Sequence, residues 1–353
     1  MNSAEARSIL NKEPFIDGVD LSGLSLTGLE LSDKHLGKVS LRGADLTGSR
    51  FTDCLFRETD FSGSKLHGTV FNKSGFTNCQ LNGIDGRNLS LEACSLKTCD
   101  LTESDLTGAD CSKTSFSAST LADTLLVGAT LFKSVFAKCA TGKIDFSKAN
   151  MERFMVIKTP LASAIFNETN LSNAIFTGTM LDKVAFPGCT LMLTIFAQAS
   201  LQEADFSATN LLKCSFNGTN LNGASFAGAK GRFTGFVEAQ AQKADFSGSV
   251  FEMANFSGAC LDEAVFSRAS MEKALFKDAS MNNAVLIGAQ LAYANFSRAI
   301  VTGADFSQAD LSVAKIHRAN FSEARLDGTK MAGVRETDPV MAEGETWVSP
   351  IRI

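Results

Sequence analysis

Nine cysteines and three histidines supply this 353-residue chain with the thiol and imidazole groups that most often hold zinc, and thiols are also strong nucleophiles. Cys94 and Cys99 stand five residues apart and Cys79 and Cys99 twenty apart. Close thiol pairs are recurrent zinc and redox arrangements. The histidines do not complete such a site: His35, His67 and His317 are scattered, and none falls at zinc-like spacing. Seven of the nine cysteines (Cys54, Cys79, Cys94, Cys99, Cys139, Cys189 and Cys214) occupy positions ending in 4 or 9, where they alternate with Ala, Ser and Thr. A cysteine interchangeable with alanine is a small apolar packing residue. The expectation is a chain with no catalytic residues, no cofactor and no metal.

The elements that place these cysteines follow from a repeat of five. From Leu21 to Met331 there are 63 positions ending in 1 or 6, without insertion or deletion, and 58 of them are Leu, Phe, Met, Val or Ile. The exceptions are Gly86, Cys111, Thr141, Gly231 and Ala241. Two residues before each centre, 56 of 63 are Ala, Ser, Thr, Cys or Val. A period of five matches neither a helix nor a simple strand. It puts one large and one small side chain inward per pentad and requires a corner every five residues.

The phenylalanines set the number of sides. Of 28 Phe, 24 are central, and from Phe166 to Phe246 every second centre is Phe. That alternation stays on two fixed faces only if a coil takes twenty residues, four sides of five. It predicts one Phe column from Phe146 to Phe266 and another from Phe176 to Phe296. At roughly 4.8 Å per coil, 63 pentads predict about 16 coils and a rod on the order of 75 Å. Each coil buries about four large side chains at roughly 1.5–3 kcal/mol apiece, so the stack is stable only as a whole. Open ends need caps. Ser3–Lys12 is expected to form a helix over the first coil, and Ala332–Ile353, with Pro339, Trp347 and Pro350, to cover or trail from the last. The expected organisation is 1–18 cap, 19–333 β-helix and 334–353 C-terminal tail or cap.

The triplets Ala204-Asp205-Phe206, Ala254-Asn255-Phe256, Ala304-Asp305-Phe306 and Ala319-Asn320-Phe321 carry a resemblance. The chain resembles the pentapeptide-repeat family over nearly nine-tenths of its length. The resemblance implies an all-β fold, a right-handed quadrilateral β-helix, a bacterial source and no catalytic residues. Long members with a short N-terminal cap also look like those encoded with type VI secretion machinery, in an accessory or adaptor role.

Departures from the polar outer positions are the candidate functional residues. The residue before the centre is usually Asp, Asn or Ser, but at twenty-residue steps it becomes Val135, Met155, Ile175 and Ile195. Ile165, Met180, Met192 and Leu193 fall in the same coils. A contiguous apolar stripe is a contact surface for a protein partner or a second copy of the chain; the competing reading is β-branched residues tolerated on a sheet face. Lys133, Lys138, Lys143, Lys148, Arg153 and Lys158 occupy successive corners, a spacing expected to wrap them around the coil. A solvated surface is their ordinary role.

Composition narrows the classes. With 33 Lys+Arg against 38 Asp+Glu, the net charge of −5 supplies no basic footprint for direct nucleic-acid binding. No stretch approaches the ~20 apolar residues of a membrane span. Met1–Asp20 does not read as a signal peptide, and nine cysteines then suggest reduced thiols in a cytoplasm. The leading expectation is a rigid scaffold for protein–protein interaction. The alternative is a DNA-mimicking modulator of DNA gyrase or topoisomerase, as the quinolone-resistance members of the family are. An anionic lane through Asp45, Asp85, Asp105, Asp145, Asp205, Asp245 and Asp305 would be its basis, but Lys65, Leu125, Ile165, Val265 and Arg325 interrupt it.

Overall fold

The computed structural model describes residues 1–346, which form two compact units, Met1–Ile195 and the described residues from Phe196 on. Both are β-helical solenoids built by one rule. Each pentad's small residue and central residue point inward, and the residue two beyond the centre usually takes a left-handed backbone (Lys133 at φ 59°, Arg153 at φ 60°, Lys213 at φ 57°) that turns the chain; after Thr141 it is Gly142, at φ 48°, that does so. Left-handed residues cost roughly 1–2 kcal/mol each, so the corners persist only because stacking holds them. A corner side chain projects away from the core, which is why lysine and glutamate sit there freely.

In the first unit, eight parallel three-residue strands from Phe15–Asp17 to Met155–Ile157 step by twenty residues through seven turns. Single bridges at the same step, such as Asp45↔Lys65, Asp60↔Gln80 and Val70↔Ser90, hold the other sides. Twenty-residue stacking, inferred from the phenylalanines, is therefore the register of the backbone itself. Phe51 lies over Phe71 and Phe56 over Phe76, each pair at 4.8 Å between ring centroids. Inward hydroxyls bond to the coil before: Thr124 Oγ1 donates to Leu101 O at 2.9 Å and Thr69 Oγ1 to Leu46 O at 2.8 Å. A buried hydroxyl needs an acceptor, and a carbonyl of the coil before or of its own coil (Phe206 O for Thr209, Phe246 O for Ser249) supplies one at most small positions, Ser64 and Thr179 excepted, so Ser and Thr substitute for Ala there.

A helix, α1 (Ser3–Lys12), closes the start of this unit over the range expected for it. Asn2 accepts from the amides of Ala4 and Glu5, and Glu5 returns to the Asn2 amide, a capping box. Ala6 and Leu10 are buried, and Leu10 faces Leu29, Leu31 and Leu41 of the first coils. Lys34 breaks the rule at a small inward position because its ammonium donates to the carbonyls of Asn11 and Glu13, at 2.9 and 2.8 Å, tying down the helix end.

In the second unit the two Phe columns are nearly ideal stacks. Phe206, Phe226, Phe246 and Phe266 follow at 5.2, 4.8 and 4.8 Å, with planes within 7°. The other column meets them edge-on, as Phe236 does Phe246 at 5.6 Å and 87°. The gap at central Gly231 is filled by its neighbour: a Cβ added there would lie 2.1 Å from Phe251. Outside, Asp305 and Asp310 accept hydrogen bonds from the amides of Ser307 and Ser312. These serines hold both carboxyls below their ordinary range.

A second helix, α2 (Pro339–Thr346), follows the last coil. It lies along corner residues: Glu345 contacts Arg298, His317 and Arg318 at 3.2–3.4 Å, and Arg318 donates to Ala342 O at 2.6 Å. The last inward centres, Leu326 and Met331, are 38% exposed. The expected parts of Trp347 and Pro350 in covering that coil lie outside the described residues.

Candidate interaction surface

The cysteines are for the most part core residues. Eight cysteines are buried and Cys260 is half-buried, all as free thiols. Burial pushes Cys94 up to about 12 and Cys189 up to about 11, and raises Cys111 as well. Cys79 and Cys99 stack in successive coils, and the neighbouring Cys79 thiol, with burial, raises Cys99. Metal binding and nucleophilic attack need thiolate, which burial disfavours at Cys94, Cys111 and Cys189, whereas the hydrogen bond from the Cys99 thiol lowers Cys79. Among the described residues, no group of three or more His, Cys, Asp or Glu is placed to hold a metal ion. His35 packs on Phe15 at 4.8 Å, while His317 accepts from the Asp338 amide and faces Glu345. No described helix is long and apolar enough to cross a membrane.

The apolar stripe is one backbone ladder. Val135 pairs with Met155, Met155 with Ile175, and Ile175 with Ile195, all parallel. Val135, Met155 and Ile175 are half-buried and Ile195 is 37% exposed. Of the other candidates, Met192 and Leu193 border this face, because they turn the corner that leads into Ile195. Met180 lies on the next side round. Ile165 lies two sides away, on the ladder of Asp145. Sharing a coil is not sharing a face, and the five-residue corner separates them.

Two features of this face were not evident in the sequence. Ile157, 42% exposed, lies beside Met155 in the same strand and widens the stripe. It follows its centre, Val156, whereas the four column residues precede theirs. The second is charge. The corner before the face carries Lys113, Lys133 and Arg153, stacked by Lys113 N–H to Phe132 O (2.8 Å) and Lys133 N–H to Glu152 O (3.1 Å). The corner after it carries Lys138 and Lys158, stacked by Lys138 N–H to Ile157 O (2.8 Å). Four of the six corner cations thus flank one face, because a five-residue run returns to the same corner every fourth step. Lys113 pairs with Glu92 at 2.9 Å and Arg153 with Glu152 at 3.7 Å, while Lys133 lies over the Phe132 ring at 5.0 Å.

The anionic lane is broken in the first unit as its composition implies. The ladder reads Asp45, Lys65, Asp85, Asp105, Leu125, Asp145, Ile165. Arg87 forks onto Asp85 at 2.8 Å and approaches Asp105 at 3.9 Å, neutralising part of what remains.

Comparison with known proteins bears on this repeat geometry. The family model described as pentapeptide repeats matches residues 16–53, 35–72, 49–85, 94–131, 161–191, 199–230, 236–268, 269–308 and 301–333. The chain belongs to the pentapeptide-repeat family. Among solved structures, this pentapeptide-repeat protein is similar to HetL, described as involved in heterocyst differentiation regulation, from the cyanobacterium Nostoc sp. strain PCC 7120. Identity is 24%, over 70% of this chain and 92% of that one, with a TM-score of 0.28. Rfr23 from the cyanobacterium Cyanothece 51142 is 24% identical over 28% of this chain and 63% of its own, with a TM-score of 0.24. QnrB1, a plasmid-mediated fluoroquinolone resistance protein, is 19% identical over 65% and 96%, with a TM-score of 0.28. No curated protein matches the pentapeptide-repeat chain.

Proposed function

We propose that this pentapeptide-repeat protein is a non-catalytic scaffold that binds a protein partner through the Val135–Met155–Ile175–Ile195 face, bordered by Met192 and Leu193. The observation that carries the reading is the backbone ladder that stacks four apolar side chains in succession where the repeat usually places Asp, Asn or Ser. A filled core supports the same reading, since binding then has to use the outside. In this reading the solenoid is right-handed and four-sided, of about 16 coils, and divides as 1–18, 19–333 and 334–353. It works in the bacterial cytoplasm, either on a second copy of itself or on another protein, type VI secretion components included.

The test is the double substitution Ile175→Asp with Ile195→Asp. Aspartate occupies the same pentad position at Asp145 and Asp205, so the coil tolerates it. Sedimentation equilibrium and affinity capture from the native cell, each against the wild-type chain, should lose self-association or a specific captured protein. Both profiles unchanged would end this reading. The DNA-mimicking alternative calls for a sustained anionic lane, because protein surfaces that bind nucleic acid are matched to closely spaced phosphates. The ladder through Lys65, Leu125 and Ile165 weighs against it. Inhibition of gyrase supercoiling by the purified chain would revive it.

A further inference from the structure

We infer that the ligand of this face is an acidic amphipathic helix lying along the column from Val135 to Ile195, with its acidic residues beside Val135 and Met155. The inference rests on the reading of this face as a contact surface and names the partner chemistry that the face selects.

Backbone recognition is closed off first. The amides of Val135, Met155, Ile175 and Ile195 donate to Thr114, Ser134, Phe154 and Ala174 carbonyls at 2.9–3.0 Å, so the face offers no free strand edge to extend. Recognition must be by side chains. Successive column residues rise by one coil, roughly 4.8 Å, and the four span about 14 Å. An α-helix laid along them repeats its apolar stripe every 5.4 Å or so. It drifts by about 2 Å over the column, which side-chain rotamers absorb. An extended strand in the same direction presents one face every ~6.7 Å and drifts by about 6 Å, out of step by a full coil. A helix of about 10–12 residues fits the column.

Charge then sets its composition and direction. Lys113, Lys133 and Arg153 line one edge, and Lys138 and Lys158 the other. Against these five cations stand Glu92 and Glu152, already engaged by Lys113 and Arg153. Lys138 and Lys158 have no ion pair among the described residues. Both edges are cationic beside Val135 and Met155. Further along, the first edge turns to Asn173 and Leu193 and the second to Gly178. A helix with Glu or Asp on both flanks of its apolar stripe at one end, and an apolar flank at the other, complements the face in one direction only. This is helix-in-groove recognition, with charge supplying specificity more than affinity.

The experiment uses the full chain and three bridged helical peptides of about 15 residues, each with leucines at i, i+4, i+7 and i+11. The peptides differ only in the flanking residues of the first two turns, which are Glu, Gln or Lys. Binding is read by fluorescence anisotropy at about 50 and about 300 mM salt. The Glu peptide should bind at least tenfold more tightly than the Gln peptide at low salt, and the gap should narrow at high salt. Lys133→Glu with Lys158→Glu should invert the order so that the Lys peptide binds best, a gain that misfolding could not produce. Equal binding of the Glu and Gln peptides, with both lost in Ile175→Asp/Ile195→Asp, overturns the acidic-helix inference and leaves the contact face standing. Unchanged binding in that double variant overturns both. Tighter binding of a short DNA duplex through the same lysines, or no binding of any peptide, overturns the inference.

Discussion

Replacing Phe246 by alanine tests the stacked core at its most regular point. Phe246 is fully buried, with Phe226 and Phe266 stacked at 4.8 Å on either side. Phe236, Phe251 and Phe256 meet its ring edge-on at 5.6, 5.7 and 5.6 Å. Removing a buried phenyl ring costs its transfer free energy plus a cavity, together about 3–5 kcal/mol. Little collapse can relieve the cavity, because backbone bonds from Phe246 N–H to Val265 O (2.7 Å) and from Asp245 N–H to Ala224 O (2.9 Å) hold the coil spacing. The ring geometry lost is worth roughly 0.5–1.5 kcal/mol per pair, partly inside the same figure. We expect a loss of about 4 kcal/mol, read from urea denaturation. In a repeat protein a coil is stabilised chiefly by its neighbours, so hydrogen exchange should rise first between residues 226 and 266. Phe15→Ala is the control: that ring is 71% exposed and its removal should cost under about 0.5 kcal/mol. A Phe246→Ala chain within about 1 kcal/mol of wild type, or exchange that rises uniformly, would refute the reasoning.

Three further outcomes are expected. Gly231→Ala should lose about 1–3 kcal/mol from overpacking against Phe251, and Phe251→Leu in the same chain should restore part of it; thermal melts of the three variants decide this. Asp305 and Asp310 have folded-state pKa values below the ordinary 3.8, so their stabilisation is present above that pH and is lost as pH falls through the folded values. The fall in urea midpoint between pH 7 and pH 3 should therefore shrink in Asp305→Asn/Asp310→Asn. Asparagine keeps the turn, as Asn295 does in accepting from the Ser297 amide. Glu345→Ala should raise hydrogen exchange in α2 while leaving the coil core protected, since Glu345 ties the helix to Arg298, His317 and Arg318.

The five-residue spacing alone determined which side chains are core, because a period that fits no regular helix or strand leaves a turning coil as the way to bury one large and one small residue per repeat. Phe alternation carried the twenty-residue register, and the cysteines at small positions declared themselves packing residues by exchanging with alanine. The helix over Ser3–Lys12 was legible from its amphipathic pattern, and the apolar residues at Val135, Met155, Ile175 and Ile195 from their step of twenty. Tertiary structure decided which of these belong together. Ile165 and Met180 left the face because consecutive pentads point in different directions. Lys133, Arg153, Lys138 and Lys158 joined it because corners five apart bracket one side, and corners twenty apart coincide. The contact of Glu345 with Arg298, His317 and Arg318 was beyond any periodicity argument, since α2 follows the last coil, outside the repeat, and only folding back brings its carboxylate to those corners. Period dictates burial because burial is local to each pentad. Surface recognition depends on which pentads the coil superimposes, and only the completed stack sets that.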